Sequence, residues 1–264
     1  MKRFLMDIKK YKEYAVYSAK SGLKSEVADS HLSWLWWVLD PMLFMMVYSF
    51  IAIIVFGSGE KYFAAFVFIG LSSWSFFSAT IKQGVRIVSK NSAIVSKVYI
   101  PKYILLLIQM LINGFKMMVS YTLVVGIMIL YRVPVSFKLL YVIPIFLTLF
   151  VITFGFSSIM LHFGVYVDDL FNITNVVLKL VFYLSGIFYS IEAKVGNALG
   201  EPFTTLLLRC NPIALIMDSL RKCMIYKTTP DYLALLVWFF IGIILSIIGI
   251  HTIYKNENSY VKVI

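Results

Sequence analysis

Long apolar runs alternate with short polar ones along nearly the whole chain. After a polar stretch at 1–31, apolar runs cover 35–56, 62–81, 103–131, 139–165, 170–189 and 232–254. Each reaches the roughly 20 residues that a helix needs to cross a bilayer core. The pattern predicts an all-α integral membrane protein with six transmembrane helices. The third and fourth runs are long enough to require tilt or a protruding end. Asp40-Pro41 starts or kinks the first, and Gly57-Ser58-Gly59-Glu60-Lys61 reads as a small outer turn. Between the fifth and sixth runs, 203–225 is apolar yet carries Arg209, Pro212, Asp218, Arg221 and Lys222, too many charges for lipid. Asn211-Pro212 looks like an N-cap followed by a proline in the first turn. Ile213, Ile216 or Met217, Leu220 and Met224 then form an apolar stripe. Two short re-entrant helices dipping into the outer leaflet fit this stretch better than a crossing.

The run 82–102 holds Lys82, Arg86, Lys90, Lys97 and Lys102 and no acid. Short Lys- and Arg-rich loops beside spans stay in the cytoplasm. Within it Ile87, Ile94, Val95 and Val98 recur at helical spacing, with Lys90 and Lys97 one heptad apart on another side. Pro101 closes the stretch, because the residue before a proline resists the helical region. Ser89 to Val98 is therefore expected to form one amphipathic helix able to dock on a soluble partner. A purely topological role for the charges remains the alternative.

Composition agrees with a membrane protein: 61% of the 264 residues are hydrophobic and only 14% charged, with a mean hydropathy of +0.87. The net charge of +11 does not point to nucleic acid, since the basic residues flank apolar runs, as anionic lipid and orientation require. Lys2, Arg3, Lys9, Lys10, Lys12, Lys20 and Lys24 outnumber Asp7, Glu13, Glu26 and Asp29 before the first run, which places the N-terminus inside. The excess of Lys and Arg on that side, Lys255 and Lys262 included, supports both termini inside. Lys194, Arg209, Arg221, Lys222 and Lys227 fall on the outer side and stand against that rule. The stretch 11–35 is mildly amphipathic, as for a helix lying on the inner interface. Trp34, Trp36 and Trp37 mark the headgroup level. A cleaved signal peptide is not expected, because the first apolar run is long enough to span. Cys210 and Cys223 are too few for a disulfide framework and are expected as free thiols. One transmembrane domain covers 1–264: an interface segment at 1–31, a membrane domain at 35–254 and a cytoplasmic tail at 255–264.

Four stretches in order resemble the polysaccharide-exporting branch of the type-2 permeases of ATP-binding-cassette transporters, the O-antigen, capsule and teichoic-acid exporters. They are LSWLWWVLDPMLFMMVYSF (32–50), SWSFFSATIKQGVRIVSKNSAIVSKVYIPK (73–102), YVDDLFNI (166–173) with FYLSGIFYS (182–190), and NPIALIMDSLRKCMI (211–225). Asp168 stands where that family usually has Arg, and Gly186 where it often has Pro. The resemblance implies a homodimer of six-span subunits in the bacterial cytoplasmic membrane, docked on two copies of a separate ATPase. ATP-Mg then belongs to the partner, and this chain, a transport subunit and no enzyme, binds no cofactor. The absence of G-x-x-x-x-G-K-[ST] agrees. The substrate implied is a polyprenyl-diphosphate-linked glycan or a polyol-phosphate polymer. Ser89, Lys90, Asn91, Ile94, Val95, Lys97 and Val98, with Asp168 and Asp169, are the expected ATPase contacts.

Lys116 and Lys179 fall deep in the third and fifth runs, where an isolated cation costs at least ~2.5–3.5 kcal/mol. They either face a cavity and attract a phosphate, or snorkel, or pair with a polar neighbour such as Asn113 or Asn175. Trp74, Phe77, Tyr183, Phe188 and Tyr189 crowd the outer halves of their runs. Such rings stack on sugars in a translocation path or serve as packing and interface belts. Asn211, Pro212 and Arg221 mark the re-entrant segment. Asp168-Asp169 is expected to cap the fifth span. The near match of DDLFN to DDxxD leaves a membrane prenyl-type transferase as a rival, and a drug or small-lipid exporter as another. His31, His162 and His251 show no metal-ligand spacing.

Overall fold

The computed structural model describes residues 2–28, 35–51, 54, 62–134 and 136–263. The expectations for His31, Trp34, the turn at 57–61 and the end of the first span lie outside them. Among the described residues every regular element is helical. In chain order the α-helices are α1 (Lys2–Val27), α2 (Trp36–Phe50), α3 (Phe63–Val85), α4 (Ile87–Lys90), α5 (Ser92–Val95), α6 (Lys102–Leu130), α7 (Val142–Tyr166), α8 (Leu170–Leu184), α9 (Ile191–Leu199), α10 (Glu201–Cys210), α11 (Pro212–Arg221) and α12 (Tyr232–Val263), with a 3-10 turn at Phe137–Tyr141 before α7 and a π turn at Lys222–Tyr226 after α11.

Four stretches are long and apolar enough to cross a membrane, Phe63–Val85, Lys102–Leu130, Phe137–Tyr166 and Tyr232–Tyr260, which makes this a multi-pass protein. They match the second, third, fourth and sixth predicted spans. The other two differ. The described part of the first span, α2, and all of the fifth, α8, have 15 residues each, about 22 Å of helix. The predicted fifth span continued to residue 189, but the chain turns at Ser185-Gly186, with Gly186 at φ +64. A positive φ suits glycine and is closed to proline, which accounts for Gly186 in place of the proline expected by resemblance.

The helices pack on small residues, as lipid-embedded helices must when no hydrophobic drive separates them from lipid. The tightest seam joins α7 to α12, where Gly155 and Ser158 meet Gly242, Ser246 and Gly249. A Cβ on Gly249 would fall on the Ser158 hydroxyl, and one on Gly164 would fall on the Val85 carbonyl at the end of α3.

Helix α1 begins nine residues earlier than the amphipathic stretch predicted at 11–35. Phe4, Asp7, Tyr11, Tyr14, Ala15, Ser18, Ala19, Gly22 and Leu23 face inward, a stripe at the helical period. Its floor is polar. Tyr103 and Tyr254 both donate to the Asp7 carboxylate, at 2.5 and 3.0 Å. Arg3 and the Tyr99 hydroxyl both reach Glu257, at 3.0 and 2.9 Å. The start of α1, the end of the 82–102 run and the end of α12 are thus fastened together.

Candidate functional site

Most of the predicted site residues fall in three regions: a groove beside α3, the end of the molecule formed by α4, α5 and the α7–α8 turn, and the bend between α10 and α11.

The groove encloses about 740 Å³ between the end of α1 and helices α2, α3, α6 and α8. One wall is aromatic: Trp36, Trp37, Phe44, Tyr48, Trp74 and Phe182 line it. Tyr48 stacks on Phe188 with centroids 4.0 Å apart, and Phe182 meets Trp74 at 5.5 Å and Phe188 at 5.6 Å. The other wall is polar, with Ser72, Ser75, Ser78, Ser120 and Lys116. Ser72 is buried and its hydroxyl has no hydrogen-bond partner among the described residues. Ser75 and Ser78 also line a second hollow of about 370 Å³ that holds Lys82, Gln83, Lys90 and Phe171. Hydroxyl and cationic groups therefore run along one side of α3 from the basic segment into the groove.

Of the predicted path residues, Lys116 and Trp74 line the groove, and Phe188 packs behind its aromatic wall on Tyr48 and Phe182. The others do not line it. Phe77, although its ring is 6.0 Å from that of Trp74, turns into a separate apolar crevice of about 610 Å³ between α3, α7, α8 and α10. Tyr183 is 70% exposed on α8, and Tyr189 donates to the Tyr183 carbonyl at 3.0 Å. Lys179 is exposed on the apolar outer face of α8 and makes no ion pair among the described residues. Lys116 does not pair with Asn113: its partner is the Glu26 carboxylate at the end of α1. Asn113 instead donates to Thr80 at 3.0 Å and to Gln83 at 2.6 Å. Glu26, Tyr48 and the α3 serines were missed as site residues. The serines were within reach, since polar residues at 75, 78 and 82 recur at helical spacing on one face of the span.

The predicted coupling segment differs in form. It is two single turns, α4 and α5, broken at Asn91, where φ is −105 and ψ 19. Side chains compete with the helix for its own carbonyls: Asn91 donates to Ile87 at 2.7 Å, Ser89 to Arg86 at 3.0 Å and Ser96 to Ser92 at 2.7 Å. The expected apolar face is divided. Ile87 and Val95 are buried, while Ile94 and Val98 are 42% and 55% exposed beside the exposed Lys90 and Lys97. Arg86 lies over the Phe171 ring at 3.6 Å, which joins this segment to the turn bearing the exposed Asp168 and Asp169. Asp169 occupies the cap position of α8 without a side-chain capping bond, so its contribution there is charge alone. Among the described residues no three His, Cys, Asp or Glu side chains are close enough to hold a metal. Just past α5, burial and the Glu257 carboxylate push the Tyr99 phenol up to about 12, which keeps it a donor at neutral pH.

On the far side, α10 and the helix that starts at Pro212 meet at 104°. Asn211 caps α11, its Oδ1 accepting from Ile213 and Ala214 at 3.1 and 3.2 Å, while its amide donates to Ser185 at 2.9 Å. Pro212 occupies the first turn as predicted. Arg221 is buried and donates to the carbonyls of Phe66 (3.1 Å), Gly186 (2.9 Å) and Ile187 (2.8 Å), with its guanidinium 3.4 Å over the Phe66 ring. A cation in this apolar setting is thereby satisfied by backbone dipoles. Helix α9 was not expected. Cys210 is exposed and Cys223 buried, both as free thiols.

No family model matches the chain. It is 24% identical over 250 residues, 94% of each chain, to a Klebsiella pneumoniae protein named O-antigen export system permease protein RfbA. A Myxococcus xanthus protein of the same name is 24% identical over 231 residues, 88% of this chain and 87% of its own. A further Klebsiella pneumoniae protein of that name is 23% identical over 250 residues. The resemblance read from the motifs thus extends over nearly the whole sequence.

Proposed function

We propose that this chain is the membrane-spanning permease of an ATP-driven exporter that moves a lipid-linked polysaccharide or teichoic-acid-type polymer from the cytoplasmic to the outer face. The observation that carries this reading is the end-to-end similarity to O-antigen export permeases. The groove supports it chemically: aromatic rings on one wall suit sugar faces, and hydroxyls with Lys116 on the other suit a phosphate. The chain works as a homodimer in the bacterial cytoplasmic membrane with both termini inside. Two ATPase subunits dock on Lys90, Ile94, Lys97 and Val98, with Asp168 and Asp169 alongside. Nucleotide-driven closure of those subunits pushes on α4 and α5, and Arg86 on Phe171 passes the push to α8. Lys179, exposed on α8, faces the second copy or the path between copies.

Co-expression with an ATP-binding-cassette ATPase from the same locus tests the assignment. The two proteins are expected to co-purify in equal numbers, with ATP hydrolysis stimulated by a polyprenyl-diphosphate-linked glycan. Failure to co-purify, or hydrolysis indifferent to the glycan, overturns it.

A further inference from the structure

Lys116 is the cation on the polar wall of the groove, yet it is already engaged. Its partner, Glu26, comes from another element, α1, and lines the same groove. The two side chains are 31% and 38% exposed, so the pair is open to exchange with an incoming anion. Partly exposed pairs of this kind are weak, because two long side chains lose freedom to hold one geometry. Asp40 also lines the groove. With Glu26 in place, the local charge disfavours an anion, and with Glu26 withdrawn Lys116 becomes available.

The other end of α1 is held at the basic segment. Arg3 donates to the Tyr99 hydroxyl at 2.5 Å, and the Tyr11 hydroxyl donates to the Tyr99 carbonyl at 3.3 Å. Tyr99 directly follows the stretch that carries α4 and α5. One 26-residue helix, about 39 Å long, therefore joins the exit of that segment to the carboxylate in the groove.

We propose that Glu26 is the resting counter-ion of Lys116 and competes with the substrate's phosphate for it, so that α1 sets how strongly the groove holds an anionic headgroup. Glu26 is a positioning residue: it acts on substrate through Lys116. The proposal rests on the reading of the groove as the substrate path.

The test uses the full chain in lipid nanodiscs, titrated with undecaprenyl diphosphate and, as the uncharged control, undecaprenol. Tryptophan emission follows binding, since Trp36, Trp37 and Trp74 line the groove. Glu26→Gln is expected to bind the diphosphate about 1.5- to 5-fold tighter, the range that release of an exposed ion pair allows, with undecaprenol unchanged. Glu26→Ala should tighten it likewise, and Glu26→Asp should restore the wild-type value. In a Lys116→Leu background, Glu26→Gln should have no further effect, as a double-mutant cycle requires of a shared pair. If Lys116→Leu weakens diphosphate binding while Glu26→Gln and Glu26→Ala leave it unchanged or weaker, the counter-ion role is overturned and the groove stands. If Lys116→Leu leaves diphosphate binding unchanged, the substrate-path reading falls, and this proposal with it.

Discussion

Replacing Arg221 by Met removes the donor that three carbonyls share and keeps most of the side-chain volume. The bonds lost run to Phe66, Gly186 and Ile187, at 3.1, 2.9 and 2.8 Å. A hydrogen bond to a charged group is worth about 1.5–3 kcal/mol in soluble proteins, and bonds between membrane helices average about 0.6. Three bonds therefore bracket about 2 to 9 kcal/mol. The ~1–3 kcal/mol cost of leaving a buried acceptor unsatisfied is consistent with that bracket. Taking about 2.7 kcal/mol, local opening of α11 away from α3 becomes about 100-fold more populated. Cys223 reports it directly, because it is buried two residues beyond Arg221. In a Cys210→Ser background, Arg221→Met should raise the rate of maleimide attack on Cys223 about 100-fold. Arg221→Lys should fall between, since an ammonium keeps the charge without the planar fork. Wild-type protection of Cys223 in Arg221→Met would refute the claim that this guanidinium fastens the outer turn.

Other substitutions probe separate parts. Gly164→Ala drives a methyl into the Val85 carbonyl, and overpacking of this kind costs about 1–3 kcal/mol; the thermal midpoint in detergent should drop, while Gly126→Ala, which meets nothing within 4 Å, should not lower it. Gly186→Pro closes the positive φ that Arg221 depends on, so it should expose Cys223 as Arg221→Met does. The Tyr99 phenol is raised to about 12 from 10.0, so the folded state binds its proton more tightly. Its stabilisation is full below pH 10 and lost as pH rises towards 12; Tyr99→Phe should flatten the fall of the thermal midpoint across that window.

The long apolar runs gave away α3, α6, α7 and α12, because crossing length is a property of the run itself. Asn211-Pro212 was equally legible, since capping chemistry acts within one turn. The end of α8 was not: it depends on Arg221, 35 residues from Gly186, which takes the carbonyls that would have continued the helix. The break at Asn91 lay hidden in Ser and Asn side chains whose competition with the backbone has no period to read. Apolar periodicity grouped Ile87 with Ile94, Val95 and Val98 on one helical face, yet the non-helical Asn91 between them divides Ile87 from the other three. The partner of Lys116 was out of reach for a different reason: Glu26 precedes it by 90 residues, and pairing over that separation follows from how α1 crosses α6.

The central claim is that this chain provides the path while a partner's ATP hydrolysis provides the work, delivered at α4 and α5. Proteoliposomes holding the chain and its ATPase, loaded on the inner-equivalent side with an undecaprenyl-diphosphate-linked glycan, test it most directly when lectin capture of glycan on the opposite side is followed with time. The account predicts capture that requires ATP and this chain, and that Ile94→Asp with Lys97→Glu abolishes while the permease remains folded. Capture without ATP, or capture that persists with both exposed coupling residues reversed, would contradict it.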